Sequence, residues 1–150
     1  MGKDLKTLIR IKSWNVDEKR RALAEVLRRE NEIISAQEQL EAELRREQQV
    51  AAQDSEGAGF TYGAYATAVI IRREALERQY QSIQALIAEA QEDLAEAYRE
   101  LKTFEITQAN REKREQEEEN RREQAIMDEI GLTLFRRSQN ENSRPDGDGA

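Results

Sequence analysis

The chain has 150 residues and a net charge of −7, and hydrophobic and charged residues each make up 37% of it while aromatic residues make up only 5%. So little apolar volume excludes an ordinary globular core, and a chain rich in Glu, Gln, Arg, Ala and Leu with a single proline, Pro145, points to long helices rather than sheets. The absence of Cys and His removes disulfides, zinc–thiolate sites and histidine-based acid–base chemistry, and no apolar run reaches the roughly 20 residues of a membrane span.

The start, MGKDLKTLIRIKSW, interrupts its apolar residues with Asp4, Arg10 and Lys12, which is not the pattern of a signal peptide. A cytoplasmic protein is the expectation. Charge is unevenly placed: residues 1–30 carry nine Lys/Arg and five Asp/Glu, a net +4 on an acidic chain. Such a basic end suits an acidic partner surface. Nucleic acid is not expected, because these cations come without aromatic stacking platforms or a reading motif.

From Leu5 to Ala51 a heptad seam is legible. Ile9, Val16, Leu23, Glu30, Gln37, Leu44 and Ala51 fall at a, and Leu5, Lys12, Lys19, Val26, Ile33 and Leu40 at d. Nine of these thirteen positions are apolar, well above the chain average, so one helix over about 3–53 is predicted. Leu27 and Ile34 widen the stripe at e. The stretch DSEGAGFTYGAY, with three glycines in seven residues, predicts a turn over 54–63. Its glycines lack the strand and the Lys-Ser/Thr of a phosphate loop.

A second seam follows, predicting a helix over about 64–135. Val69, Leu76, Ile83, Ala90, Ala97 and Phe104 fall at d, and Tyr80, Ile87, Leu94 and Leu101 at a, with Arg73 the exception. The next seam positions, Gln108, Arg111, Glu115, Glu118 and Arg122, are all polar. A reversal near residue 58 pairs residue i with about 117 − i, so the second seam turns polar where the first helix runs out. The fold class expected is therefore all-α: a long two-helix antiparallel coiled-coil hairpin, 1–137, with an overhanging C-terminal helix and a disordered C-terminal tail, 138–150. The polar run REKREQEEENRREQ, Arg111–Gln124, has opposite charges four residues apart to keep it helical, from Arg111–Glu115 to Glu118–Arg122.

Two sets of residues are candidates for contact. At the open end of the hairpin, Lys6, Arg10, Ile11, Lys12 and Trp14 form a basic, partly apolar helix end, and Ile126, Met127, Ile130 and Leu134 share one helical face past the polar run. Trp14 falls at f, facing outward, unless the helix phase drifts and turns it inward. At the tip, Phe60, Tyr62, Tyr65, Val69, Ile70 and Ile71 exceed what closing a turn requires. No catalytic, metal or cofactor residues are expected, because a rod has no pocket that shifts a pKa or excludes water.

The hairpin layout, Tyr62-x-x-Tyr65 opening the second helix, and the ending ELKTFEITQANREKREQEEENRREQAIMDEIGLTLFRR resemble the flagellar export protein family FliJ over about residues 5–137. The resemblance implies a soluble stalk-like component of the flagellar type III export apparatus. Its terminal end would enter the hexameric export ATPase through Lys6, Arg10, Ile11, Lys12, Trp14, Ile126, Met127, Ile130 and Leu134. Its tip would touch the export gate FlhA through Tyr62, Tyr65, Val69 and Ile70. Export chaperones are further implied partners, and the protein would sit at the inner membrane only through the apparatus. Two alternatives carry the same shape: an injectisome stalk of the YscO type, and a cytoplasmic hairpin chaperone that holds clients between helical arms.

Overall fold

The computed structural model describes residues 2–53 and 58–144, with side chains from Leu5 to Gln53 and from Tyr62 to Arg144. Helix α1 spans Gly2–Gln53 and helix α2 spans Ala58–Asn142. They pack against each other, and no strand occurs among the described residues. At 1.5 Å per residue, 52 and 85 residues make rods of about 78 and 128 Å.

The helices run antiparallel. Lys12 reaches Glu100, Glu30 bonds Gln84, and Glu41 bonds Arg73, so later residues of α1 meet earlier residues of α2. The numbering midpoints of these pairs are 56, 57 and 57, against the 58 expected. The difference follows from where α2 starts. Residues 58–63, expected in the turn, already belong to the helix. Gly63 costs helix propensity but breaks nothing, and it has open space around it. Residues 54–57 lie outside the described residues, as does the side chain of Phe60.

All thirteen seam positions assigned to α1, from Leu5 to Ala51, are buried or half-buried, and so are all ten on α2 from Val69 to Phe104, Arg73 being exposed. The burial is unequal. Six of the eight buried core residues lie on α2 (Val69, Leu76, Ile83, Ile87, Ala97, Leu101) and only Leu5 and Val16 on α1. The cause is visible in the seam of α1, where Lys12, Lys19, Glu30 and Gln37 are half-buried: long polar side chains lay their stems on the apolar residues opposite and take their charged ends to the edge. The cross-hairpin ion pairs, Lys12–Glu100 half-exposed and Arg73–Glu41 exposed, contribute about 0–1 kcal/mol each. Apolar contact therefore carries the pairing, with Val16, Ala97 and Leu101 forming its tightest cluster and Ile9 and Leu94 packed against it.

Coverage stops at Gln108. Every residue from Ala109 to Arg144 is exposed, yet α2 stays helical to Asn142. Of the five charge pairs expected along Arg111–Gln124, only Glu118–Arg122 comes within ion-pair reach, at 4.0 Å. Side-chain amides make the remaining i,i+4 links, from Gln108 to Glu112, Gln116 to Asn120 and Gln124 to Asp128. The helix also outlasts its expected end at 135 and takes in the first residues of the expected disordered tail. Adding a residue to an existing helix costs little, and nothing between Ser138 and Asn142 prevents it. The Ser143 amide and hydroxyl both donate to the Gln139 carbonyl, and Pro145 is the first residue without an N–H to continue.

This division of labour predicts unequal mutational costs. Leu101→Ala removes a buried seam residue and should lower unfolding free energy by about 2–4 kcal/mol. Leu134→Ala removes one that is exposed in the single chain and, at concentrations too low for copies to associate, should leave the thermal midpoint within a degree or two of wild type. Circular dichroism melts of the two variants check both values.

Candidate functional site

The open end of the hairpin brings together the basic start of α1 and the seam end of α2. Lys12 sits at a d position, where a hydrophobe is usual. Its ammonium donates to Glu100 Oε2 at 2.9 Å and lies 5.9 Å from the centre of the Phe104 ring. The charge is thereby committed inside the hairpin, while Lys6 and Arg10 are exposed and make no ion pair among the described residues. Ile11 and Trp14 face outward, Trp14 with 64% of its surface exposed. The outward position read from the heptad phase is the one observed, and no drift of phase occurs. Leu8, which the seam pattern did not single out, joins them: positions g, c and f lie side by side on a helix, so Leu8, Ile11 and Trp14 form one apolar strip.

On α2, Ile126, Met127, Ile130 and Leu134 are each at least half exposed and share a face. Leu132 and Phe135, absent from the sequence-based candidates, are exposed as well, on the other side of the helix. Two clusters of candidates that were grouped from sequence are therefore apart. The α1 strip lies at residues 8–14 and pairs near residue 100, whereas Ile130 is 30 residues further along α2, about 45 Å.

At the tip the candidates divide. Val69 is buried in the seam with 4% of its surface exposed, so its side chain serves the pairing of the helices. Ile70 and its neighbour Ile71 point to solvent. Tyr62 and Tyr65 are half-buried. Partial burial raises the Tyr65 phenol above its ordinary pKa, and the carboxylates of Glu43 and Glu47 and then Tyr62 add to the shift. Tyr65 is thus seated against the acidic end of α1. The exposed apolar surface here consists of Ile70 and Ile71, with the tyrosine edges beside them.

No group of His, Cys, Asp and Glu suited to a metal ion occurs among the described residues, and no described helix is long and apolar enough to cross a membrane. On the outer face of α1, Arg28 bridges Glu25 and Glu32. Hydrogen bonding to Arg28 holds the Glu25 carboxyl below its usual range, which is the behaviour of a helix surface pair rather than of a reactive site. What remains is a rod with separate exposed apolar surfaces.

A family model, described as flagellar FliJ protein, matches residues 1–140. The chain belongs to the flagellar FliJ family. The match covers both helices, including the exposed length of α2 that a short hairpin would lack. No curated protein and no solved structure shows significant similarity to the chain.

Trp14 is the only tryptophan, so its emission reports the α1 strip directly. In dilute isolated protein it should emit as indole in water does and be quenched by acrylamide almost as freely. A blue-shifted, protected emission would place the ring inside the hairpin.

Proposed function

We propose that this chain is a stalk-like component of the flagellar type III export apparatus, coupling the export ATPase ring to the export gate. Membership of the FliJ family carries the reading, and it favours the flagellar over the injectisome system. The shape supports it: one continuous α2 runs from the tip to Asn142, so a displacement at one end is transmitted through helix and not through a hinge. The arm beyond Gln108 projects past the hairpin and inserts into the ring. Its apolar face (Ile126, Met127, Ile130, Leu134) and the α1 strip with Lys6, Arg10, Ile11 and Trp14 make the contacts. Lys12 supports that end by pinning α1 to Glu100 and Phe104. The tip meets the gate component FlhA through Ile70 and Ile71, with Tyr62 and Tyr65 at the edge, while Val69 holds the helices together beneath them. Export chaperones are further partners.

The polar stretch Arg111–Gln124 is a spacer in this reading. Fourteen helical residues set the apolar face about 21 Å further out, and the lack of apolar side chains leaves nothing to pair with a wrong helix.

Purified components test both ends. Ile130→Glu should abolish stimulation of the ATPase without changing the helicity of the isolated chain. Ile70→Ala with Ile71→Ala should weaken gate binding about thirtyfold, the equivalent of ~2 kcal/mol, and leave ATPase stimulation intact. Full stimulation by Ile130→Glu would remove the arm from the ATPase contact.

Spacer length and stiffness give a separate check. Exchanging 111–124 for another Glu/Lys helix of equal length should preserve motility, and inserting Gly-Gly-Ser-Gly-Gly at residue 117 should impair it. The reverse pattern would assign the contacts to individual charges.

A further inference from the structure

We propose that two copies of this chain associate in solution as a closed antiparallel dimer, the apolar face at Ile126–Leu134 of each lying in a groove on the hairpin of the other. Arg20, Leu23, Gln91, Leu94, Ala95, Tyr98 and Arg99 line a trough of about 410 Å³ along one side of the hairpin. Its floor is aliphatic, Tyr98 is 43% exposed on its wall, and Leu27, also exposed, continues it by about one turn. Leu27, Gln91 and Tyr98 hold e positions. A two-stranded coil has no use for a Leu and a Tyr there, whereas an a, d and e stripe is what a helix presents when it has a third helix to cover it.

Charge selects the occupant. The lining of this trough includes no carboxylate and two arginines, Arg20 and Arg99, the second 3.4 Å from Glu92. The trough lined by Asn15, Lys19, Asp93, Glu96, Ala97 and Glu100 carries three carboxylates and one lysine. An acidic amphipathic helix fits the first and is repelled by the second. The segment EQAIMDEIGLTLF, residues 123–135, has that character: three carboxylates, no cation, and an apolar face that nothing covers.

The two surfaces cannot meet within one chain. Ala95 and Ile130 lie on the same continuous helix, 35 residues or about 52 Å apart. Between two copies they meet twice. A two-fold axis near residue 112, midway between Ala95 and Ile130, sets each face on the other's groove, and the contact is closed and self-limiting. The hairpins then lie end to end without overlap, and each exposed arm completes a three-helix bundle with its partner. The arm is the one assigned above to the ATPase ring, so dimer and ring-bound chain exclude one another. The test uses the isolated protein, so its outcome is independent of that assignment.

Sedimentation of the full chain should show a species of twice the 17.4 kDa chain mass. Tyr98→Glu and Ile130→Glu, on opposite sides of the contact, should each weaken it by at least about tenfold. Arg20→Glu should weaken it too, and adding Glu129→Arg to that variant should restore it. Because the natural chain has no cysteine, Gln91→Cys chains mixed with Thr133→Cys chains should join across a short bis-maleimide linker. A single-chain mass up to about 100 µM, an unchanged dimer in Tyr98→Glu, or dominant 133-to-133 crosslinks would each overturn the proposal.

Discussion

Val16, Ala97 and Leu101 close on one another near the base of the hairpin, and Ile87, Ile83, Leu76 and Val69 carry the same line of contact toward the tip. This seam is one stripe wide, with no side chain wholly shut from solvent. It depends on α2 for most of its buried carbon and on α1 for the long polar stems that cover it. A seam of this kind sets direction and register firmly, because shifting either helix by a residue turns charged positions inward. It leaves the outer faces of both helices uncommitted, and those faces carry Leu8, Ile11, Trp14, Ile70 and Ile71. The seam also marks where the hairpin ends: beyond Gln108 every described residue of α2 is exposed.

Periodicity made this much legible before any coordinates. Every position assigned to the seam is covered except Arg73, which the pattern had already marked as its exception. What the pattern missed was of three physical kinds. The limits of α2 moved outward at both ends, since glycine and polar residues lower helix propensity without forbidding a helix that is already nucleated. The fate of Lys12 depended on register, since a lysine at d reads as a free cation until Glu100 and Phe104 are placed opposite it. At the tip the phase had already separated Val69, at d, from Ile70 and Ile71, the next two positions e and f, and their burial follows that division. Leu8, Leu132 and Phe135 were passed over because a search for seam residues discards apolar residues on other faces. Counting those residues as a second pattern would have found them.

The surfaces left open are arranged along one stiff axis. The tip offers Ile70 and Ile71, the base offers Leu8, Ile11 and Trp14, and the arm offers Ile126 to Phe135. In the proposed function these surfaces, spaced along one helix, hold separate parts of an export apparatus in fixed relation. The same exposure is a liability in a free protein, since an uncovered apolar face invites nonspecific association. A reciprocal dimer answers that liability with a contact that closes on itself, and it leaves the arm available to a partner that binds it more tightly.

All of this rests on the arm being a rigid helix where no second helix supports it. Spin labels at positions 111 and 139, on chains diluted into unlabelled protein, measure that by pulsed electron resonance. Twenty-eight helical residues predict a narrow distribution centred near ~42 Å. A broad distribution shifted to shorter distances would mean that the segment beyond Gln108 is a flexible tether, and neither the stalk nor the reciprocal dimer would then stand.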